Sequence, residues 1–146
     1  MMDRKKEMIH ELTNTAWSLM KEYNDEFNAG KLSIDEAQQL AAEKIGLMRY
    51  GEERKDYFWI ITYEPEMIMH PYRKELIGND LNNYKDPLGK KLFVEAANIV
   101  KENGEGYIDY MWQWKDDSTR IVPKLSYVKG FSDWQWIIGT GIYLED

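Results

Sequence analysis

GYIDYMWQWKDDSTRIVPKLSYVKGFSDWQWIIGTGIY, residues 106–143, is the stretch on which the fold turns. Three segments within it, 106–114, 121–129 and 134–143, are dense in aromatic and β-branched residues and are of strand length. Residues 115–119 and 130–133 separate them. Links that short join antiparallel neighbours, because a parallel crossover needs a dozen residues or more. The last third of the chain is therefore expected to be an antiparallel array of three strands.

Upstream, Asp86 with Pro87 reads as an N-cap and first helical residue. Leu88, Leu92, Ala96, Ile99 and Val100 then give a helix that ends at Asn103 and Gly104. Residues 71–84 are polar and carry Gly78, as a loop with one helical turn would. Before them, residues 57–63 and 66–70 read as two strands joined by a turn at Glu64 and Pro65. The chain opens with two amphipathic helices. In the first, residues 3–28, an apolar stripe runs through Met8, Leu12, Ala16, Leu19, Tyr23 and Phe27, and Gly30 closes it. Ser33 and Glu36 form a capping box for the second, which runs to near Gly51 with Ile34, Ala37, Leu40, Ala41, Ile45 and Met48 inward. The expectation is an α+β fold: residues 1–50 helical, residues 51–146 a five-stranded antiparallel sheet. One sheet face rests on the long N-terminal helix and the other is covered by residues 71–104.

A length of 146 residues suits one domain with a core of its own. The net charge of -7 offers nothing to nucleic acid, whose binding rests on clustered Lys and Arg, or to an anionic membrane surface. Cysteine is absent, which removes disulfides, thiolate metal sites and cysteine nucleophiles. Apolar runs fall short of the ~20 residues that span a bilayer, and the start of the chain lacks a signal-peptide pattern. A membrane receptor would hold this segment between its spans. Two histidines, no phosphate loop, no nucleophile elbow and no two-histidine zinc helix leave little for catalysis, for a metal or for a cofactor. Ser126, inside a strand, has no base near it in sequence. The chain is expected not to be an enzyme.

Several motifs stand in an order that resembles single Cache domains. They are Tyr57-Phe58-Trp59-Ile60, then Glu64-Pro65-Glu66-Met67-Ile68-Met69-His70-Pro71, Gly78-Asn79-Asp80-Leu81 and Asp86-Pro87-Leu88-Gly89-Lys90. Gly104-Glu105-Gly106 leading to Tyr110-Met111-Trp112, residues 123–129 and residues 136–143 complete the set, from about Tyr50 to the end. The resemblance implies a PAS-like fold outside the membrane on methyl-accepting chemotaxis proteins and sensor histidine kinases, with small organic acids such as acetate, propionate, pyruvate and lactate as ligands. The chain departs from the family pattern twice. Ile61 and Thr62 stand where Asn-Asp is commoner, and residues 113–117 lengthen the third strand and alter the pocket rim.

Lys124 is the leading candidate for ligand contact. It lies in an apolar strand, where a charge is costly unless paired, and a ligand carboxylate is a natural counter-ion. The alternative is an outward lysine on an exposed face; the Lys124-Leu125-Ser126-Tyr127 motif favours the ligand role. His70, held extended by Pro71, would donate to the ligand or cap its strand. Tyr57 with Trp59, and Tyr110 with Trp112, each share a strand face; packing accounts for any one of them, while together they suit a small-ligand pocket. Tyr127 joins them by motif, although alternation sets it opposite Lys124. Arg49 would pair with a carboxylate or simply end its helix in solvent. Both chain ends are expected at one pole, Met8 beside Tyr143. Trp17 and Met20, off the first helix's main stripe, offer contacts for a homodimer. The function expected is extracytoplasmic sensing of a small organic acid; a stand-alone extracytoplasmic binding protein of the same fold is the alternative.

Overall fold

The computed structural model describes residues 2–144. Helix α1 spans Met2–Asn28 and α2 spans Ile34–Gly46, and the two pack together. The Ser33 hydroxyl accepts the Glu36 N–H while the Glu36 carboxylate accepts that of Ser33, so the capping box forms as read. Helix α2 stops at Gly46, short of the expected Gly51.

Five strands follow: β1 (Trp59–Thr62), β2 (Met67–Met69), β3 (Glu105–Trp114), β4 (Asp117–Phe131) and β5 (Trp136–Tyr143). They form one antiparallel sheet in the order β2-β1-β5-β4-β3, which puts the C-terminal strand at its centre. The β3–β4 hairpin extends beyond the expected segments 106–114 and 121–129. Trp114 pairs with Asp117 across a tight turn, and Lys115 takes a left-handed φ of 50° to close it. At the other departure from the family pattern, Ile61 enters the core and the Thr62 hydroxyl accepts the Glu64 and Glu66 N–H groups.

Helix α3 (Leu92–Asn103) ends, as expected, on a left-handed Gly104. Its start is a correction. Asp86 does not cap it: the carboxylate accepts N–H groups from Leu88 and Lys90, which closes a local turn, and from Met111, which pins the turn to the edge strand β3. Leu88 is consequently 79% exposed instead of inward.

Alternation along the strands builds a core on each side of the sheet. Phe58, Ile60, Trp136 and Ile138 meet α1 and α2 through Ala16, Met20, Ala41 and Ile45. Trp59, Ile61, Tyr110, Trp112, Val128 and Ile137 meet α3 and residues 71–91 through Leu76, Leu81, Phe93, Ala96 and Ala97. Met8 and Tyr143 border the same surface groove, so both ends of the chain lie at one pole as expected. Of the two residues expected to offer dimer contacts, Met20 is fully buried within the chain, while Trp17 is half-buried and its indole donates to the Gly130 carbonyl at 2.9 Å. No helix among the described residues is long and apolar enough to cross a membrane.

Candidate functional site

Register places Lys124 at the middle of a sheet row, opposite Tyr110 on one side and Tyr143 on the other, on the face covered by α3. Its side chain is 1% exposed, as buried as the aromatic groups around it. The ammonium donates to the Tyr57 hydroxyl at 3.0 Å and lies 4.4 Å from the Tyr57 ring centre and 5.2 Å from that of Tyr143. No carboxylate among the described residues is within ion-pair distance of it. Burial lowers its pKa to about 7, against a partial counter-effect from Asp56.

Two glycines on β5 make room for this arrangement. A Cβ at Gly139 would stand 2.5 Å from the Trp59 indole, so glycine lets the ring lie flat against the strand. A Cβ at Gly141 would collide with the Ser126 hydroxyl and come within 3.0 Å of Lys124 Cε. Between them Thr140 points to the other face, where its hydroxyl donates to the Tyr57 carbonyl and meets the Tyr50 hydroxyl, each at 2.5 Å. That buried pair fixes the backbone from which Tyr57 and Trp59 project.

Beside Lys124 the side chains of Tyr57, Trp59, His70, Phe93, Tyr110 and Trp112 surround a narrow void, too tight in this structure to admit a water molecule. His70 is 2% exposed, and its Nδ1 accepts the N–H groups of Tyr72 at 3.1 Å and Arg73 at 3.0 Å. A ring nitrogen that accepts twice carries no proton, so the neutral imidazole holds its hydrogen on Nε2. Burial first, then the positive charges of Lys124, Arg73 and Arg49, keep the pKa well below the usual histidine value. That Nε2–H has no partner among the described residues, and neither do the indole N–H groups of Trp59 and Trp112. The Trp59 indole N–H faces the Tyr110 hydroxyl and the Trp112 indole N–H the Tyr57 hydroxyl in weak, poorly aligned contacts that pull each phenol pKa slightly down without satisfying the donors in good geometry. Tyr110 spends its hydroxyl on Ser126 at 2.8 Å.

An orphaned buried donor costs about 1–3 kcal/mol, which makes three of them around one void a costly way merely to pack a core. Three neutral donors and an ammonium without an acidic partner are the complement of a small anion with several acceptor oxygens. Burial of Tyr57 and Tyr110 pushes their pKa values up, so both hydroxyls stay neutral.

Six of the eight residues singled out from sequence meet here: Lys124, His70, Tyr57, Trp59, Tyr110 and Trp112. Two do not. Tyr127 is on the opposite face beneath α1, its ring 4.7 Å from His10 and 5.0 Å from Tyr107, because three residues along a strand reverse the side-chain direction. The same contact leaves His10 half-buried. Arg49 donates to the carbonyls of Gly46 and Met48 and stacks on Tyr72 at 5.2 Å, closing the end of α2 outside the void. Three contributors were missed. Tyr143 follows from the register opposite Lys124, and its hydroxyl accepts the Lys115 N–H at 2.8 Å. Arg73 lies 5.3 Å over the Trp112 ring, donates to the Tyr84 hydroxyl at 3.4 Å and pairs with Glu75. Phe93 enters from α3.

A PAS-like α+β fold with a sheet-side cluster of buried donors defines a small-molecule sensor domain of the Cache kind. The chain belongs to the single Cache domain 2 family, whose sequence profile matches residues 1–146. It is 36% identical over 142 residues to the methyl-accepting chemotaxis protein McpP of Pseudomonas putida, covering 97% of this chain and 26% of that protein. It is also 36% identical over 148 residues to the sensor histidine kinase MctS of Rhizobium johnstonii, covering all of this chain and 30% of that protein. The chain thus spans roughly a quarter to a third of the length of these relatives. Among solved structures it superposes on a periplasmic sensor domain of a chemotaxis protein with a TM-score of 0.95, at 34% identity and 99% coverage of both chains. A Cache chemosensory domain studied for carboxylic acid recognition matches with a TM-score of 0.93 and 37% identity, over 98% of this chain and 95% of that one.

Proposed function

We propose that residues 1–146 form one domain, the extracytoplasmic ligand-sensing part of a transmembrane receptor. The parent protein is a chemoreceptor or sensor histidine kinase, and the domain binds a small monocarboxylate such as acetate, propionate, pyruvate or lactate without transforming it. One observation carries the reading: a buried ammonium with no acidic partner among the described residues stands beside a tight void lined by three residues whose N–H donors lack a well-formed hydrogen bond. A carboxylate that parts these side chains loses its hydration and regains a cation and several donors at once. With Nδ1 spent on backbone N–H groups and Nε2 protonated, His70 is set to donate, not to accept a proton from a nucleophile. Both chain ends at one pole suit insertion between two membrane spans, and the likeness to a periplasmic sensor domain supports a location outside the membrane.

A thermal-shift screen of protein stripped of carried-over ligand tests this. Ligand at a hundred times its Kd adds about 2.7 kcal/mol of stability. In a domain of this size that raises Tm by about 5–10 °C. One small monocarboxylate is expected to do so. A flat response across two- to four-carbon acids, amino acids and urea would overturn the proposal.

A further inference from the structure

Arg49 has no part in the sheet-side cluster, yet its guanidinium is held in place with donors to spare. Nη1 gives its two hydrogens to the carbonyls of Gly46 and Met48, each at 2.9 Å, and Cζ lies 5.2 Å from the Tyr72 ring centre. A guanidinium carries five N–H groups. The other three, on Nε and Nη2, have no partner among the described residues. They form the side that a carboxylate meets with two parallel hydrogen bonds. Arg49 borders an open groove of about 320 Å³ between the end of α2 and residues 69–77, with Leu47, Met69, Pro71 and Ile77 as apolar walls and Lys74 as a second cation. Exposed apolar side chains scattered singly are ordinary, but Leu47 and Ile77, 79% and 45% exposed, flank this one groove. His70 alone lines both the groove and the sheet-side void, so one imidazole divides two separate spaces.

We propose that this groove is a second binding site, for a medium-chain fatty acid, with the carboxylate on Arg49 and Lys74 and the tail along Leu47, Met69 and Ile77. Charge selects that class. Neither Arg49 nor Lys74 has an ion-pair partner among the described residues, although the chain holds 26 acidic residues against 19 basic ones. Two cations against the single carboxylate of Glu43 leave the groove a net charge of +1, the match for one acid group. Shape agrees. The apolar walls are aliphatic, as a flexible hydrocarbon tail requires, and the volume lies at the lower end of the range of about 300–1,000 Å³ for small-molecule clefts. A peptide could not add a strand beside it, because the outer edge of β2 is taken. The Met67 N–H donates to the Asn79 carbonyl at 3.2 Å, and the Met67 carbonyl accepts the Gly78 N–H at 2.8 Å.

Calorimetric titration of hexanoate and octanoate, below their micellar range, into the parent, Arg49→Gln and Leu47→Ser tests the assignment, with a melting curve to show that each is folded. The parent should bind octanoate more tightly than hexanoate, by about two- to fourfold for each methylene. Arg49→Gln should weaken octanoate binding by about tenfold or more, the worth of hydrogen bonds to a charged group. Leu47→Ser should weaken it by about threefold or more. Two-dimensional NMR spectra of the same titration locate the acid, which should shift the methyl signals of Leu47 and Ile77. Shifts confined to the indole N–H signals of Trp59 and Trp112 would put it in the sheet-side site and overturn the proposal. No binding of octanoate at millimolar concentration, or unchanged affinity in both folded variants, overturns it as well. A blocked Asp-Leu-Leu peptide that binds more tightly than octanoate, or a dimer of the parent that Leu47→Ser dissolves, would give the groove to a protein partner or a second copy instead. Should Arg49→Gln fail to fold, the double variant Lys74→Gln with Leu47→Ser decides, because it alters exposed groups alone.

Discussion

Lys124→Met changes two quantities that should move in opposite directions. The lysine is 1% exposed, its ammonium donates to a phenol oxygen, and its pKa has come down from 10.5 to about 7. A base whose folded pKa lies below its unfolded value costs stability wherever the unfolded chain holds the extra proton. That cost is complete below about pH 7 and fades as the pH rises from about 7 to 10.5. At about 1.4 kcal/mol per pKa unit it is on the order of several kcal/mol at neutral pH. Methionine keeps much of the stem's volume and discards the charge, so the ligand-free variant should melt several degrees above the parent. The bound state should respond the other way. Removing one member of a buried charge pair costs about 2–5 kcal/mol. That corresponds to about thirtyfold to several thousandfold in Kd. Calorimetric titration of parent and variant with the stabilising acid, alongside melting curves without it, reads both effects. A folded variant binding within about threefold of the parent would place the anchor elsewhere. A large drop in Tm would make Lys124 a structural element instead.

The same titration couples binding to protons: a carboxylate raises the pKa of Lys124, so affinity should be flat from about pH 6 to 7 and fall by up to about tenfold per unit above that. Flat affinity from pH 6 to 9, with no dependence of the heat on buffer ionisation, would contradict it. Gly139→Ala drives a methyl into the Trp59 ring and should cost about 1–3 kcal/mol of stability together with much of the binding; unaltered melting and affinity would mean the ring is not held there. Tyr127→Phe deletes a buried hydroxyl that has no partner among the described residues, so stability should hold or rise by about 1 kcal/mol and affinity should not change. A tenfold loss of affinity would return Tyr127 to the site.

The strands and helix ends were legible because each rests on a local rule. Ser33 with Glu36 and Gly104 after Asn103 satisfy backbone groups within a few residues of themselves, and the sequence shows every partner. The start of α3 rests on a distant partner. Asp86 and Pro87 are a sound N-terminal signal, yet the carboxylate is drawn to the Met111 N–H, a free edge donor of β3 far along the chain. A side chain that can satisfy two local donors and one remote one gains more than a cap, so tertiary contact overrode the local preference. The order of the strands was equally hidden, since nothing local to residues 136–143 says that β5 sits between β1 and β4.

In the site, what separates the residues found from those missed is the distance over which their reasons act. Lys124 stands out because a charge in an apolar strand is anomalous in itself, and alternation already set Tyr127 against it. The motif overrode that alternation, and the register between β3 and β4 vindicated the pleat. Tyr143 needed one step more: once β5 is paired to β4, the residue opposite Lys124 is determined. Phe93 needed the packing of α3 on the sheet. In the row of Leu88, Leu92 and Ala96 it falls one position aside, and only the observed rotation of the helix, with both Leu92 and Phe93 inward, brings its ring between the indoles. Polar groups left without good partners in a core announce themselves as exceptions to burial rules, whereas the apolar ring packed among them obeys those rules and looks like any core residue. The polar side of this candidate site was therefore open to inference from sequence, and its apolar side became visible only when three elements were brought together in space.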